Sequence, residues 1–350
     1  MDSIANPGAR VDLGVLESWM SANGIGQGPL ERVRPVGGGT QNVMLRFYRG
    51  GREFVLRRGP WHLRPNSNDI VLREIKVLSA LAGTNVPHPR LIASCPDPNI
   101  LDGAVFYLME PIDGFNAALE LPSVHAGDPV VRHRMGRSIV DALAELGAVD
   151  HDAVGLTHFG KPAGFLERQV PRWLGELDSY AALYGYRGEL PGVARIAQWL
   201  ESRRPRNWRP GLMHGDYHFA NVMFSRTGPE VVAIVDWEMC TVGDPLLDLG
   251  WLLATWQLPD APSIFGGPFM LSSGLPRPED LVTRYAARSS RDLSHMNWYT
   301  VLACFKLGIL LEGTWARALA GQASLDLGEA LHQTTLRLFE RAENLMEKAT

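Results

Sequence analysis

The sequence has few cysteines, no long apolar run and no excess of basic charge. Only 3 of its 350 residues are cysteine, and they are far apart and outside any CxxC spacing, which argues against a disulfide framework and a zinc knuckle. The apolar stretches are too short to span a bilayer, and the N-terminus lacks the pattern of a signal peptide. We therefore expect a cytoplasmic protein that does not enter membranes.

Charge is nearly balanced, with 34 Lys and Arg against 38 Asp and Glu and a formal net charge of -4. Such a chain has no basic field that would attract phosphate backbones, so nucleic acid is not an expected partner. Hydrophobic residues make up 45% of the sequence, which suffices for a large core and suggests two domains or one protein with two lobes.

The N-terminal third has the pattern of an antiparallel sheet and one helix. The runs LERVRPV, NVMLRFY and REFVLRR are rich in β-branched and aromatic residues, which predicts three strands in a meander. The next segment predicts a helix that begins at N-cap oxygens in 67–69 and ends near Gly83, with Glu74 on its apolar stripe. RLIASC and AVFYLME predict two further strands.

After residue 114 the pattern changes to long helical periodicity, interrupted by the short β runs NVMF and VVAIV around a turn at 227–229. We predict an α+β protein with a lead helix in 1–27, a small β-rich lobe in 28–113 and a large helical lobe in 114–350. An insert at 257–280 is rich in Pro, Gly and Ser, and is either a lid or a passive surface loop.

The stretch LMHGDYHFANVMF at 212–224 has the composition of neither a core strand nor a solvated loop. His214, Asp216 and His218 occupy alternate positions, so on an extended strand they would share one face. This spacing allows a zinc site of a metallohydrolase, although such alternating polar residues are also typical of hydrogen-bonded turns.

Phosphoryl transfer accounts for more of these residues. Asp216 is followed five positions later by Asn221, which is the D-x-x-x-x-N spacing of a kinase catalytic loop. Asp236 comes directly after the apolar run VVAIV. In this hypothesis Asp216 is the base for the attacking hydroxyl, and Asn221 and Asp236 are Mg²⁺ ligands. A buried Asp236 would need a charged partner.

Upstream residues fit the same chemistry. Arg57 lies on the third predicted strand, and Glu74 lies on an inward helix stripe where a carboxylate requires a cation, so we predict an ion pair between them. A surface Glu74 without a partner is the alternative. The segment VGGGTQN could bring backbone N–H groups to phosphate oxygens or could be a simple hairpin turn; its candidate residues are Gly37, Gly38, Gly39 and Thr40.

In combination these motifs resemble the aminoglycoside phosphotransferase and choline kinase superfamily. The resemblance is carried by HGDYHFANVMF and IVDWEMCTVGDPLLDLGWLL, with support from GGGTQN, FVLRRGP, REIKVLSAL, FYLMEPIDG, GLTHFGKPAGFLERQVPRW and LLEGTW. It runs from about residue 25 to about 340 and is strongest toward the kinase-like domain that is fused to some acyl-CoA dehydrogenases.

The resemblance implies a bilobal protein-kinase-like fold, with a small antiparallel N-lobe sheet plus one helix and a mostly helical C-lobe. It implies ATP as nucleotide and Mg²⁺ as cofactor, with Asp216 as base, Asn221 and Asp236 as metal ligands and Arg57, paired with Glu74, at the phosphates. It also implies that the adenine hinge contains Met109, Glu110 and Ile112, and that His214 supports the loop. Asp248 would brace the loop, and a simple helix N-cap is the alternative for this residue.

The resemblance leaves the acceptor open. Related sequences commonly have Leu-His where this chain has Leu146-Gly147, and a polycationic aminoglycoside is disfavoured because acidic and basic residues nearly balance after Gln257. The tryptophans of the large lobe would suit an apolar or hydroxyacyl alcohol, but core packing is the alternative. We expect a hydroxylated small molecule as substrate and a monomer or homodimer. A catalytically silent nucleotide-binding module and an antibiotic kinase are the alternatives.

Overall fold

A computed structural model describes residues 11–37, 42–188, 190–258, 264 and 266–348 of the chain. The chain divides into two compact units, which are Met1–Gly114 with Val232–Glu238, and Phe115–Val231 with Met239–Thr350. In these described ranges no helix combines the length and the apolar character that a membrane span needs.

The first unit contains a five-stranded antiparallel sheet and two helices. Its strands are in the order β1-β2-β3-β5-β4, and every neighbouring pair is antiparallel. The predicted meander, the helix after it and the two later strands are all present. The elements are α1 (Leu13–Ala22), β1 (Glu31–Pro35), β2 (Val43–Arg49), β3 (Arg52–Arg58), α2 (Ser67–Leu81), β4 (Leu91–Cys95) and β5 (Phe106–Met109).

Strand β2 shows most clearly the alternation of a strand with one buried face. In β2, Val43, Leu45 and Phe47 are buried while the residues between them are half-buried, which is the period of two that a strand with one buried face requires. Leu16 and Met20 of α1 belong to the same buried cluster, so the lead helix packs against this sheet. The apolar face of the sheet is thereby covered.

α2 begins where the sequence predicts it, but its start is capped differently. The position before the helix is Asn66, whose side chain makes no cap hydrogen bond. The Ser67 hydroxyl instead accepts the N–H of Arg64 at 2.9 Å. At the other end, Gly83 has a φ of +88°, as expected for a glycine that ends a helix.

From residue 115 onward the chain is mostly helical, and the predicted α+β class is confirmed. β6 pairs with β8 and β7 pairs with β10, both antiparallel. The elements are β6 (Phe115–Asn116), α3 (Ser123–Gly127), α4 (Pro129–Ala148), α5 (Gln169–Ser179), α6 (Val193–Ser202), β7 (Gly211–Met213), β8 (Val222–Phe224), β9 (Val231–Ile234), β10 (Thr241–Gly243), α7 (Leu246–Thr255), α8 (Pro278–Ala286), α9 (Met296–Leu319) and α10 (Leu325–Lys348).

α7 is the central helix of the second unit, because all ten of its residues are buried. A helix that is apolar on every side must be surrounded by other elements. One of them is α9, which approaches so closely that a Cβ at Gly250 would lie 2.6 Å from the carbonyl oxygen of Tyr299. This small residue sets the distance between the two helices.

The described part of the 257–280 insert is not a passive surface loop. Phe269 and Met270 are fully buried, and the Phe269 ring contacts Phe219, Phe224 and Trp256 at centroid distances of 6.2, 5.8 and 6.1 Å. These contacts anchor the insert beside the segment that contains the candidate base. Residues 259–263 and 265 lie outside the described part of the chain.

Replacing Gly250 by alanine should destabilise the protein, because the new methyl group would push α7 and α9 apart. We expect the free energy of unfolding, measured by chemical denaturation, to fall by roughly 1 to 3 kcal/mol, the usual cost of overpacking. Gly175→Ala is the matched control, since Gly175 lies in helix α5 with no described atom within 4 Å of an added Cβ. That change should raise stability by about 0.5 to 1 kcal/mol. Equal changes in the free energy of unfolding for the two variants would contradict the close contact between α7 and α9 at Gly250.

Candidate active site

The segment 211–224 is a strand, a turn and a second strand. β7 ends at Met213, and β8 begins at Val222 after a single 3-10 turn. Gly215 between them has a φ of +88°, which only glycine adopts readily. A Cβ at this position would overlap the carbonyl oxygen of Met239. The polar residues of the motif are therefore turn residues, and the turn requires a glycine before Asp216.

Asp216 is the carboxylate that this turn presents. The amide nitrogen of Asn221 donates to Asp216 Oδ2 and to the Asp216 carbonyl oxygen, both at 3.0 Å. Nε2 of His218 lies 3.5 Å from Asp216 Oδ1, and the Asp216 side chain is 34% exposed. The carboxylate is thus fixed by its neighbours and still accessible to a small molecule.

Asp216 is ionised at neutral pH. Burial raises the pKa of its carboxyl, but the hydrogen bond and charge of His218 and the charges of His214 and Lys306 outweigh this effect and hold the pKa well below its usual range. An ionised carboxylate is the form that can accept a proton or orient a hydroxyl. Since the amide nitrogen of Asn221 donates to Asp216, the amide oxygen of Asn221 is the atom left for the predicted contact with a metal ion.

Asp248, the third residue of α7, holds the turn from behind. Its Oδ2 accepts the N–H of His214 at 2.5 Å, and its Oδ1 accepts the N–H of Gly215 at 2.8 Å. Burial raises the pKa of Asp248 to about 7, against the effect of these two hydrogen bonds. Both bonds go to the turn, which is the bracing role that the resemblance implies, and the alternative of a simple helix N-cap is wrong.

In the first unit, Arg57 and Glu74 form the buried ion pair that the sequence predicts. Arg57 Nε on β3 donates to Glu74 Oε2 on α2 at 2.7 Å, and Arg57 Nη2 donates to Oε1. The Tyr107 hydroxyl donates to the same carboxylate at 3.3 Å. Burial opposes the charge of Arg57, but the Glu74 carboxylate raises the Arg57 pKa above its ordinary value. The guanidinium therefore stays charged.

Asp236 follows β9 and lies beside this pair. Its Oδ1 is 3.6 Å from Arg57 Nη2, and its side chain is 44% exposed. Asp236 is therefore not buried, and a charged partner is nevertheless present. The φ of Asp236 is +67°, a region that costs energy for any residue other than glycine and is common at functional sites.

Glu74, Asp236 and Glu238 form the acidic group in the described ranges that can hold a metal ion. One carboxylate oxygen of each lies within 4.8 Å of the others, and carboxylate oxygens are the ligands that Mg²⁺ prefers. The sequence pattern does not single out Glu238, although DWE places it two positions after Asp236. That Asn221 and Asp236 bind one ion stays a prediction.

The zinc alternative is not supported. Among the residues described, His214, Asp216 and His218 form no group of ligand atoms that meets the same 4.8 Å limit. His218 instead caps the 3-10 turn, where its Nδ1 accepts the N–H of Ala220 at 3.2 Å. His214 is completely buried, and its ring lies edge-on to Tyr217 at a centroid distance of 6.0 Å.

The glycine segment is described only at its edges. Gly37 is exposed, and the preceding Val36 N–H donates to the carbonyl oxygen of Met44 at 3.0 Å, which continues the pairing of β1 with β2. Gly38, Gly39 and Thr40 lie outside the described residues. Their contact with phosphate groups therefore stays a prediction.

The predicted hinge residues lie at the end of strand β5 and directly after it. Met109 is buried and is the last residue of β5. The N–H of Glu110 donates to the carbonyl oxygen of Arg90 at 2.9 Å, so it is already used, and the Glu110 carboxylate pairs with Arg52 at 2.9 Å. Ile112 is half-buried in the loop that follows.

The family of the chain follows from comparison with known proteins. The sequence model of the phosphotransferase enzyme family matches residues 32–267, which is more than half of the chain and includes Arg57, Asp216, Asn221 and Asp236. The chain belongs to the phosphotransferase enzyme family. This assignment supports kinase-like phosphoryl transfer to a small molecule and agrees with the resemblance seen in the sequence.

Two curated proteins that are similar to this chain are named acyl-CoA dehydrogenase family members. Mouse acyl-CoA dehydrogenase family member 10 is 29% identical over 325 residues, covering 92% of this chain and 30% of that protein. Chicken acyl-CoA dehydrogenase family member 11 is 29% identical over 353 residues, covering 97% of this chain and 44% of that protein. The chain spans less than half the length of these relatives.

Solved structures show the same kinase-like fold. A proposed aminoglycoside phosphotransferase from Ralstonia eutropha JMP134 is 28% identical with a TM-score of 0.82, over 97% of this chain and 99% of that one. An aminoglycoside phosphotransferase solved with GDP and kanamycin is 14% identical with a TM-score of 0.63, over 95% and 99% of the two chains. The predicted fold is thereby confirmed for this phosphotransferase.

Lys306 is a buried residue of this phosphotransferase that no sequence motif marks as part of the candidate site. Its Nζ on α9 donates to the carbonyl oxygen of Gly215 at 2.9 Å and lies 4.3 Å from the centre of the Trp251 ring. Burial lowers the Lys306 pKa to about 8, and the carboxylates of Asp216 and Asp248 oppose this shift. The one available signal is a lysine inside the apolar run CFKLGILL, since lysine is rarely buried without a partner.

The tryptophans of the second unit are mainly core residues, as the alternative interpretation held, because Trp173, Trp251, Trp256 and Trp298 are at most 4% exposed. At Gly147, where the resemblance implies histidine, a Cβ would lie 2.9 Å from the Tyr285 hydroxyl oxygen. In this chain Tyr285 therefore occupies the adjoining space.

Removing the carboxylate of Asp248 should destabilise the fold, because the buried N–H groups of His214 and Gly215 would lose their acceptor. We expect Asp248→Ala to lower the free energy of unfolding by roughly 2 to 4 kcal/mol, since each unsatisfied buried donor costs about 1 to 3 kcal/mol. Chemical denaturation measures the loss. Asp178→Ala, at an exposed position of α5, is the control and should change stability by less than about 0.5 kcal/mol. A loss no larger than that of the control would contradict the bracing role.

Proposed function

We propose that the chain is an ATP- and Mg²⁺-dependent O-phosphotransferase that moves the γ-phosphoryl group of ATP to a hydroxyl of a small molecule. The observation that carries the proposal is Asp216, an accessible carboxylate that is ionised at neutral pH and fixed by Asn221 and His218. A carboxylate in this state can orient an alcohol and accept its proton during transfer. Membership of the phosphotransferase enzyme family supports this chemistry.

Asp216 acts on the acceptor in this proposal. The O–H of the acceptor donates to a carboxylate oxygen of Asp216, which aligns the attacking oxygen with the phosphorus atom. In phosphoryl transfer the transition state is loose and positioning contributes most of the catalysis, so a weakly basic carboxylate is sufficient. As the new O–P bond forms and the bond to ADP breaks, the proton passes to Asp216.

The metal would be held by the amide oxygen of Asn221 and the carboxylate of Asp236, with Glu238 as an additional candidate. Amide and carboxylate oxygens fit Mg²⁺ because it is a hard cation that prefers oxygen ligands. Bound there, Mg²⁺ neutralises charge on the phosphate oxygens of the nucleotide. The contact between Asp236 and Arg57 at 3.6 Å would hold the Asp236 carboxylate in place for this task.

Arg57 and the hinge would bind the nucleotide. Arg57 replaces the lysine of most kinases, and its charge, maintained by Glu74, suits phosphate oxygens because guanidinium can donate two parallel hydrogen bonds. Since the Glu110 N–H is used by Arg90, we assign adenine recognition to the Glu110 carbonyl oxygen and the Ile112 N–H. A structural relative solved with GDP supports a nucleotide at such a fold.

The acceptor would be an alcohol with an apolar or acyl portion. Two observations favour this class over an aminoglycoside: the curated relatives are named acyl-CoA dehydrogenase family members, and acidic and basic residues nearly balance after Gln257. The Ralstonia eutropha structure, which is a proposed aminoglycoside phosphotransferase, makes an antibiotic acceptor the second candidate.

A screen of ADP release tests both acceptor classes. The protein is incubated with Mg²⁺, ATP and, in turn, hydroxy acids, hydroxyacyl thioesters and aminoglycosides. Absence of stimulated ADP release by every class would contradict the proposed function.

Asp216→Asn should slow phosphoryl transfer strongly and preserve nucleotide binding. The amide keeps the shape of the side chain but cannot accept the proton, so we expect kcat to fall by about 100-fold or more. The Kd for ATP, measured by calorimetry, should stay within about threefold because the lost group contacts the acceptor. Asp178→Asn on the surface of α5 is the control and should leave both values unchanged. A silent nucleotide-binding module would instead show equal, metal-independent background rates for wild type and Asp216→Asn.

Asp236→Asn should weaken the metal-nucleotide complex rather than the proton transfer. Replacing a carboxylate ligand by an amide removes one negative charge from the metal site, so we expect the Kd for Mg-ATP to rise by roughly tenfold. Calorimetric titration of a non-hydrolysable ATP analogue into the protein at saturating Mg²⁺ gives this value without turnover. If Mg-ATP bound equally well to wild type and variant, Asp236 would not be a ligand. Asp178→Asn again serves as the control.

A further inference from the structure

The peptide unit between Gly215 and Asp216 is held by a buried lysine. The carbonyl oxygen of Gly215 accepts a hydrogen bond from Lys306 Nζ at 2.9 Å. The preceding peptide is held separately, since the N–H of Gly215 donates to Asp248 Oδ1 at 2.8 Å. Gly215 is thus fixed on both its donor and its acceptor side, by residues from two different helices.

Gly215 needs this double attachment because it has no side chain to restrict it. Its φ of +88° is one of several conformations that glycine adopts at little cost. With only the Asp248 bond, the peptide that leads into Asp216 could rotate about the bonds on either side of it. Such a rotation would move the Asp216 carboxylate, whereas a donor on the carbonyl oxygen prevents it.

The environment of Lys306 is built for a cation. Its Nζ lies 4.3 Å from the ring centre of Trp251 and 5.5 Å from that of Trp173, distances at which the aromatic faces attract an ammonium group. Lys306 is only 6% exposed, and its neighbours on α9, Phe305 and Leu307, are buried and apolar. A charge in such surroundings is costly unless it is compensated.

The charged groups that act on Lys306 come from the turn and from helices α7 and α5. Asp216 in the turn and Asp248 on α7 favour its charge, and Arg172 on α5 opposes it. The ammonium group therefore lies between the candidate base and the aspartate that braces its turn. A methionine at this position would fit the apolar helix without the cost of a buried charge.

We propose that Lys306 is a positioning residue, which fixes the Asp216 carboxylate for phosphoryl transfer by holding the Gly215 carbonyl oxygen with an ammonium group caged between Trp173 and Trp251. Lys306 acts through the turn and does not contact the reacting groups. The inference rests on the proposed function in one respect, which is that Asp216 acts on the acceptor hydroxyl.

The kinetic test compares Lys306→Met with Lys306→Arg. Methionine keeps the volume and loses the donor and the charge, so kcat for ADP release should fall by about 10- to 100-fold while the KM for ATP changes by less than about threefold. Arginine keeps the charge and a donor and should retain a larger share of kcat than methionine. Lys348→Met, at an exposed position near the end of α10, is the control. Equal kcat values for Lys306→Met and wild type would overturn the proposal.

A chemical rescue separates positioning from general structural support. Lys306→Ala leaves a space beside the two indole rings, where added ethylammonium can place a cation on the Gly215 carbonyl oxygen. We expect ethylammonium to raise kcat of Lys306→Ala severalfold, and ethanol of similar size but without charge to have no effect. Neither additive should change wild type. No rescue by ethylammonium, or equal rescue by ethanol, would contradict a role for the charge.

Hydrogen–deuterium exchange tests the contact between Lys306 and the Gly215 carbonyl oxygen without any phosphotransfer. In Lys306→Met, the amides of 212–217 should exchange faster than in wild type, while α10 should keep its protection. Unchanged exchange of 212–217 would overturn the positioning role of Lys306 even if kcat fell. If instead the wild type releases no ADP with any acceptor but the exchange difference appears, the proposed function fails and the contact of Lys306 with the turn stands.

Discussion

The hydrogen bonds between Asp248 and the turn at 214–215 are the constraint on which the candidate site depends. The N–H groups of His214 and Gly215, directly after β7, both donate to this carboxylate, and Asp216 is the next residue of the turn. All ten residues of α7 are buried, so Asp248 belongs to a helix that the rest of its unit encloses. The position of the candidate base is thereby set by the core and not by a flexible loop.

The first unit contains a matching constraint in the pair of Arg57 and Glu74. Glu74 is 1% exposed, and a carboxylate at that depth is tolerated because Arg57 and the Tyr107 hydroxyl bind it. The same guanidinium lies 3.6 Å from Asp236, whose backbone occupies a strained region. One buried acid thus organises both groups that we assign to the nucleotide phosphates and their metal.

Much of this arrangement can be predicted from local patterns. Strand β2 follows from its alternation of apolar residues, and the pairing of Arg57 with Glu74 follows from a carboxylate on an apolar helix stripe, since each depends on a short period in the sequence. The predicted N-cap position of α2 is wrong, because the three neighbouring polar residues 67–69 all offer a side-chain oxygen that could cap a helix. The spacing of Asp216 and Asn221 is local as well, and the structure shows their hydrogen bond.

The residues that the sequence does not predict are those whose partners are distant in the chain. Lys306 is 91 positions from Gly215, and nothing within the apolar run around it indicates which group its ammonium would meet. Phe269 lies in a Pro- and Gly-rich insert that has the composition of a surface loop, yet it packs against Phe219. Only tertiary contacts reveal such roles, because neither helical nor strand periodicity records which elements become neighbours.

Phosphorus NMR of the reaction mixture tests the central claim most directly. Wild-type protein with ATP, Mg²⁺ and the acceptor that best stimulates ADP release should produce a new phosphate monoester resonance, in an amount equal to the ADP formed. The Asp216→Asn variant should produce neither at a comparable rate. ADP accompanied only by inorganic phosphate, or a monoester formed equally fast by the variant, would contradict transfer to a hydroxyl oriented by Asp216.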